Sequence, residues 1–224
     1  MDKIKEKINI QQEQLNQLKL RWDNLFSEAP AEIKDRIFLE LINYYNSPRR
    51  FYHNLNHLEK FLQEIEAQRK KINHPQILET AAWFHDAIYD TQSKTADSEQ
   101  QSADFAKRAL ELLEIKTKIV QQVVDLILGT KTHQSSEDNS DSSLFMDIDL
   151  MILGAQPEEY NQYVKAIRQE YARVPEDVFR AKRKALLLAL LSKPCLYQNQ
   201  EMYQKYEAQA RENIQRELAG YKNL

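Results

Sequence analysis

Apolar side chains recur at steps of three and four from one end of this chain to the other, and that spacing constrains the fold more than any other feature. Ile4, Ile8, Leu15, Leu18, Trp22 and Leu25 share one helical stripe, with Gln11 at the position where it lapses. Ile33, Ile37, Leu41 and Tyr44 form a second stripe that ends near "NSPRR"; Leu55, Leu58, Leu62 and Ile65 form a third. A fourth, Ile77, Ala81, Phe84 and Ile88, follows Asn73 as its expected cap and Pro75 in its first turn. Further helices are predicted over 97–113, 116–129, 143–153, 157–173, 175–191 and 199–220, each bounded by proline, glycine or a polar cluster. The segment "TKTHQSSEDNSDSS", residues 130–143, reads as a mobile loop between two helices, placed to close over a site and bring His133 with it. Only Gly129, Gly154 and Gly220 occur, too few for a strand-rich fold with many tight turns. The expectation is an all-α fold of roughly ten helices in a single domain over 1–224. Residues 1–27 form a helix packing on that domain, or, since the seam runs about three heptads, the coiled coil of a homodimer.

A net charge of −3 leaves no general nucleic-acid footprint. No apolar run approaches the ~18 residues of a membrane span. The first residues, "MDKIKEKINIQQEQL", lack the apolar stretch of a signal peptide, and the cytoplasm is the expected location. The single cysteine, Cys195, excludes an internal disulfide and a thiolate-rich metal site, and reads as a packed small hydrophobe. GxGxxG, GxxxxGK[ST] and GxSxG are all missing, which argues against a backbone phosphate cradle or a serine nucleophile. "HNLNH" has the histidine spacing of a zinc-protease helix without its glutamate.

What remains is a set of polar residues in apolar surroundings. His57 lies one position from the Leu55–Leu58–Leu62 stripe, and His85 follows Leu78 and Ala82 along a core edge with Asp86 beside it. A buried carboxylate costs several kcal/mol unless something pairs with it, so "AAWFHDAIYD" faces either water or a cation. In "LFMDIDLMILG", Asp147 and Asp149 interrupt an apolar helix; two positions apart, they cannot both face one point, and periodicity does not choose between them. Two imidazoles and two carboxylates from three helices would make a mixed N/O site for Mn, Fe, Co, Ni or Zn, or for a more hydrated Mg.

The blocks "RRFYHNLNHL", "FHDAIYD" and "DIDLMILG", in that order, resemble the HD superfamily, and within it the bacterial proteins described as predicted metal-dependent phosphohydrolases. "IRQEY" and "ARENIQREL" resemble the same subgroup, so the likeness covers about 40–220. It implies a helical HD fold with His57, His85, Asp86 and Asp149 as metal ligands, the match of "IDL" selecting Asp149. It implies water activated by a divalent ion and a small phosphorylated substrate, a nucleotide foremost. Around that quartet, Asp90 and Glu99 are the candidate catalytic acids. His53, His133, Arg50 and Arg183 are candidates for phosphate or a second ion, with helix capping the plain alternative for His53 and a solvated face for the run "RAKRK". "HDAIYDT" is similar to the alarmone-hydrolase branch, but Tyr89 stands where that branch has the glutamate assigned to water activation. A di-iron oxygenase of the same superfamily and a non-catalytic helical interaction protein are the alternative functions.

Overall fold

The computed structural model describes residues 2–91, 97–133 and 140–221, with side chains from residue 11 onward. Among these, the chain forms ten α-helices and no strand: α1 (Asp2–Leu25), α2 (Ala31–Tyr45), α3 (Leu55–Gln68), α4 (Pro75–Phe84), α5 (Ser98–Leu112), α6 (Thr117–Gly129), α7 (Ser140–Leu150), α8 (Pro157–Glu170), α9 (Glu176–Ser192) and α10 (Gln200–Gly220). Short 3₁₀ turns follow α3 (Arg69–Lys71) and α7 (Met151–Gly154). No described helix is long and apolar enough to cross a membrane.

Local chemistry explains most of the starts. Asn54 caps α3 by accepting the Asn56 N–H at 2.9 Å, Asp97 caps α5, and Asn199 caps α10. Pro75 and Pro157 occupy first-turn positions, where no N–H is needed. Two expectations need correction. His74, not Asn73, holds the cap position of α4, and neither side chain caps it: Asp141 of α7 accepts both backbone N–H groups, at 2.9 Å from Asn73 and 2.8 Å from His74. That contact anchors the first turn of α7, so the helix begins at Ser140, inside the segment read as a loop. Residues 134–139 of that segment lie outside the described residues, and closure over a site is not addressed by them.

The stripes pack as their spacing predicts. Leu18 and Trp22 of α1 are buried with Phe26, which places the second half of that helix in the core of its own domain. Trp22 meets Trp83 edge-on at 5.2 Å and Phe26 at 4.5 Å, while Phe38 and Phe84 close the cluster around them. Aromatic pairs in tilted and edge-on arrangements stabilise beyond the area they bury, and this group fixes α1 and α2 against α4. Leu58, Leu62 and Ile65 of α3 are fully covered, and α3 packs on both α4 and α7. Cys195 departs from expectation: it is exposed. The segment after α9 turns Leu196 and Tyr197 inward instead, where buried Glu207 accepts their N–H groups.

The 3₁₀ turn ending at Gly154 seats α10. A Cβ built at Gly154 would stand 2.6 Å from Tyr206 Cβ and 2.7 Å from the Tyr206 carbonyl oxygen. Backbone on one side and a buried helix on the other leave little room to yield. Gly154→Ala should therefore destabilise the fold by about 1–3 kcal/mol, as overpacking does, visible as a lowered denaturant midpoint. An unchanged midpoint would show that α10 moves aside freely.

Candidate metal centre

Each residue of the centre arrives by a different local device. His57 sits in the first turn of α3, 5% exposed, on the edge of the Leu55–Leu58–Leu62 stripe. His85 and Asp86 follow the last residue of α4. His85 continues the helical hydrogen bonding through its N–H to Ala81 O, and the chain then leaves the helix. Arg50 is what the departing chain leans on: its guanidinium donates to the carbonyls of Asp86, Ala87 and His53. Ser102 of α5 fixes the next residue by accepting the Ile88 N–H at 3.0 Å and donating to the Ile88 carbonyl at 3.1 Å. Asp149 comes from the last turn of α7.

These four side chains offer ligand atoms that all lie within 4.8 Å of one another. His57 Nε2 and His85 Nε2 are 3.1 Å apart. Asp86 Oδ2 stands 3.4 Å from the first and 3.3 Å from the second, and Asp149 Oδ1 stands 3.5 Å and 3.7 Å from them. Atoms bound to one ion at ~2.0–2.2 Å stand roughly 3–3.5 Å apart, so the set fits a single divalent ion. The donor chemistry fits as well. His85 Nδ1 lies 2.8 Å from the Ala82 carbonyl, which can only accept, so the hydrogen is on Nδ1 and Nε2 is the ligating atom. The group could hold a metal ion.

The electrostatics agree. Burial works against charge on His85, but Asp86 and Asp149 outweigh it and lift the imidazole to about 10. His57 is raised too: burial opposes, and its hydrogen bonds to the carboxylates of Asp149 and Asp86 prevail. Burial alone would raise Asp86. His85 first, then His53, with hydrogen bonds from His57 and His85, hold it well below the carboxylate range. Asp149 is lowered likewise, against burial, by His133, His57 and His85. Two ionised carboxylates facing two imidazoles demand positive charge, supplied by protons or by a cation.

Asp147 has other work. It is fully buried and its carboxylate accepts the N–H of Gln198, at 3.0 and 2.8 Å, and of Asn199 at 2.6 Å, so it fastens α7 to the start of α10. Burial pushes it up to about 6 despite those bonds. His133 lies beyond the end of α6 with φ 49°, a left-handed conformation that histidine adopts more often than most non-glycine residues, and its Nε2 is 2.9 Å from Asp149 Oδ2. It thus touches the centre through the oxygen of Asp149 that faces away from His57.

The other sequence candidates divide. His53 stands beside the centre, its ring 5.8 Å from that of His57, and Asn54 rather than His53 caps α3. Arg50 is committed to three backbone carbonyls, so its role here is to shape the His85–Asp86 turn rather than to offer a free guanidinium. Arg183 is a clear correction to the expected phosphate contact and to a solvated face. It is 7% exposed and pairs with Glu217 through Nε at 2.9 Å and Nη2 at 3.1 Å, with Nη1 on the Tyr163 hydroxyl. Tyr163 and then Tyr52 separate it from His57. Glu99, in the first turn of α5, is raised by burial and by the charges of Asp97 and Asp86, which places it in the field of the centre without joining the ligand group. Asp90 is exposed, its N–H on Ser98 Oγ at 3.2 Å. One residue escaped the sequence reading altogether: Glu170, at the end of α8, whose side chain is almost completely buried against residues 51–53. It stands within "IRQEY", but nothing in its spacing marks it as a partner of a segment more than a hundred residues earlier.

Comparison of the chain with protein-family models, with curated proteins and with solved structures yields no match.

Two outcomes follow from the geometry. Asp149→Asn should abolish binding of a divalent ion, whereas Asp147→Asn should retain it and lower folding stability by about 1–3 kcal/mol, the cost of a disturbed buried hydrogen-bond set. Ion binding by dialysis, read beside denaturant unfolding, separates the two; the reverse ranking would mean that Asp147 is the ligand. His85, raised to about 10, holds a proton at neutral pH when no ion is bound. Ion binding must displace it, so affinity should rise with pH and protons should be released. Calorimetry in buffers of differing ionisation enthalpy measures that release, and a buffer-independent heat would contradict it.

Proposed function

We propose that this chain is a metal-dependent phosphohydrolase of the HD type, acting on a small phosphorylated substrate, a nucleotide foremost. The observation that carries the reading is the convergence of His57, His85, Asp86 and Asp149 on one point, the four residues that the sequence likeness names. A bound Mn, Fe, Co, Ni, Zn or Mg ion would polarise a phosphoryl oxygen and lower the pKa of bound water. The chain's own residues supply the rest. Arg50 and Ser102 hold the His85–Asp86 turn so that Asp86 keeps its aim. His53 stands at the edge of the centre, its ring 5.8 Å from that of His57, and His133 bonds the second oxygen of Asp149. Glu99 adds a half-buried acid nearby.

The test is metal analysis of protein purified without chelator, followed by turnover of a panel of nucleotides and phosphoesters with each divalent ion. Asp86→Ala should lose bound ion by more than ~100-fold in affinity, since disturbing even an outer partner of a metal ligand costs 10–100-fold. Activity should disappear with it. Full metal occupancy in that variant would place the site elsewhere, and a metal-loaded wild type inert on the whole panel would refute hydrolysis. A two-iron oxygenase is the second reading, favoured by His133 on the second oxygen of Asp149, where a second ion would need a ligand. Two irons per chain and substrate-dependent oxygen consumption would decide for it.

A further inference from the structure

Glu170 is a buried acid beside His53 that the proposed function does not use. Its side chain is 1% exposed. Oε1 accepts three successive backbone N–H groups, from Phe51 at 2.8 Å, Tyr52 at 2.7 Å and His53 at 2.9 Å. Oε2 is left for a single partner, His53 Nδ1 at 2.7 Å. Burial opposes its ionisation, but His53 and those N–H groups hold Glu170 below the usual carboxylate range. An ionised carboxylate only accepts, so His53 must carry its hydrogen on Nδ1. The ring is fixed in the other directions too. Tyr89 stacks on it at 4.0 Å and Tyr52 meets it edge-on at 4.9 Å. Tyr89 is itself held through its hydroxyl, 3.2 Å from that of Tyr171. With Nδ1 turned toward Glu170, Nε2 points the other way and makes no hydrogen bond among the described residues.

We propose that Glu170 is a positioning residue: it holds the Nδ1–H of His53 so that Nε2 is presented at the metal centre as a hydrogen-bond acceptor, aligning the water that attacks phosphorus. A histidine packed for structure alone has no need of an ionised partner that fixes which nitrogen carries the hydrogen. The same logic, a buried carboxylate choosing the tautomer of an imidazole that faces the reaction, recurs in hydrolases of unrelated folds. The inference deepens the proposed hydrolysis and rests on it for the role of the water; the tautomer and its cause stand apart from that reading.

The experiment is imidazole nitrogen NMR on ¹⁵N-labelled protein with Zn²⁺ added, at alkaline pH, the His53 signals being assigned by their loss in His53→Ala. The wild type should show the Nδ1–H tautomer at His53. In Glu170→Gln the amide oxygen must stay on the three backbone N–H groups. Its NH₂ then faces Nδ1, and the ring should switch to the Nε2–H tautomer while thermal unfolding stays cooperative. With Mn²⁺ and bis(p-nitrophenyl) phosphate, kcat of Glu170→Gln should fall by about 10²-fold with KM little changed, as expected for loss of an acid–base contact. His53→Ala should lose as much, and the double variant no more. A wild-type Nε2–H tautomer would overturn the proposal whether or not the variant folds, and so would an unswitched ring or undiminished kcat in Glu170→Gln. If the metal-loaded wild type turns over neither this ester nor the nucleotide panel, the hydrolytic reading fails, and the tautomer alone then decides whether Glu170 positions His53.

Discussion

Two imidazole nitrogens 3.1 Å apart, with a carboxylate oxygen within 3.7 Å of each on two sides, form an arrangement that water cannot neutralise because it is largely buried. Positive charge must lie among them, and the surrounding chain is built so that the donors do not drift apart when it changes form. The Ala82 carbonyl fixes one imidazole, His133 takes the second oxygen of one carboxylate, and Arg50 ties down the two peptide groups that follow the other. A charge left without its partners in such a place costs several kcal/mol, so a slip in register of any helix that supplies a donor is costly.

That register comes from apolar packing at a distance. Trp22, Phe38, Trp83 and Phe84 lock α4 from the side facing away from the centre, and Phe61 and Phe145 pack around His85 from α3 and α7. The centre therefore sits where three stripes meet at their polar edges. Close-packed interiors transmit small displacements rather than absorbing them, which makes the aromatic cluster part of the aiming of Asp86 although it touches no ligand atom.

Periodicity made the helices legible, because each stripe reports the face its own helix buries. It also showed His57, His85 and Asp86 at core edges. It could not separate Asp147 from Asp149, since both interrupt the same apolar run; only the likeness of "IDL" to a known block did so. Partnerships across long stretches of chain left no trace. Arg183 looked like part of a solvated basic run, or a phosphate contact, because its partner, Glu217, lies near the far end of another helix, α10. Glu170 drew no reading because its partners, residues 51–53, belong to a loop that periodicity does not describe. The start of α7 was hidden for the same reason: Asp141 earns its place through the backbone of residues 73 and 74.

The alternation of acids on α7 has a consequence for biosynthesis. Asp149 looks toward residues already made, 57, 85, 86 and 133, while Asp147 waits for the backbone of residues 198 and 199. Chains emerge from the ribosome amino-terminus first. A nascent chain that has completed α7 thus possesses all four ligand residues, yet carries an unmatched acid two residues from the last of them until α10 begins to form. The approach to α10, which contributes none of the four ligand residues, thus supplies the partners that Asp147 lacks until then.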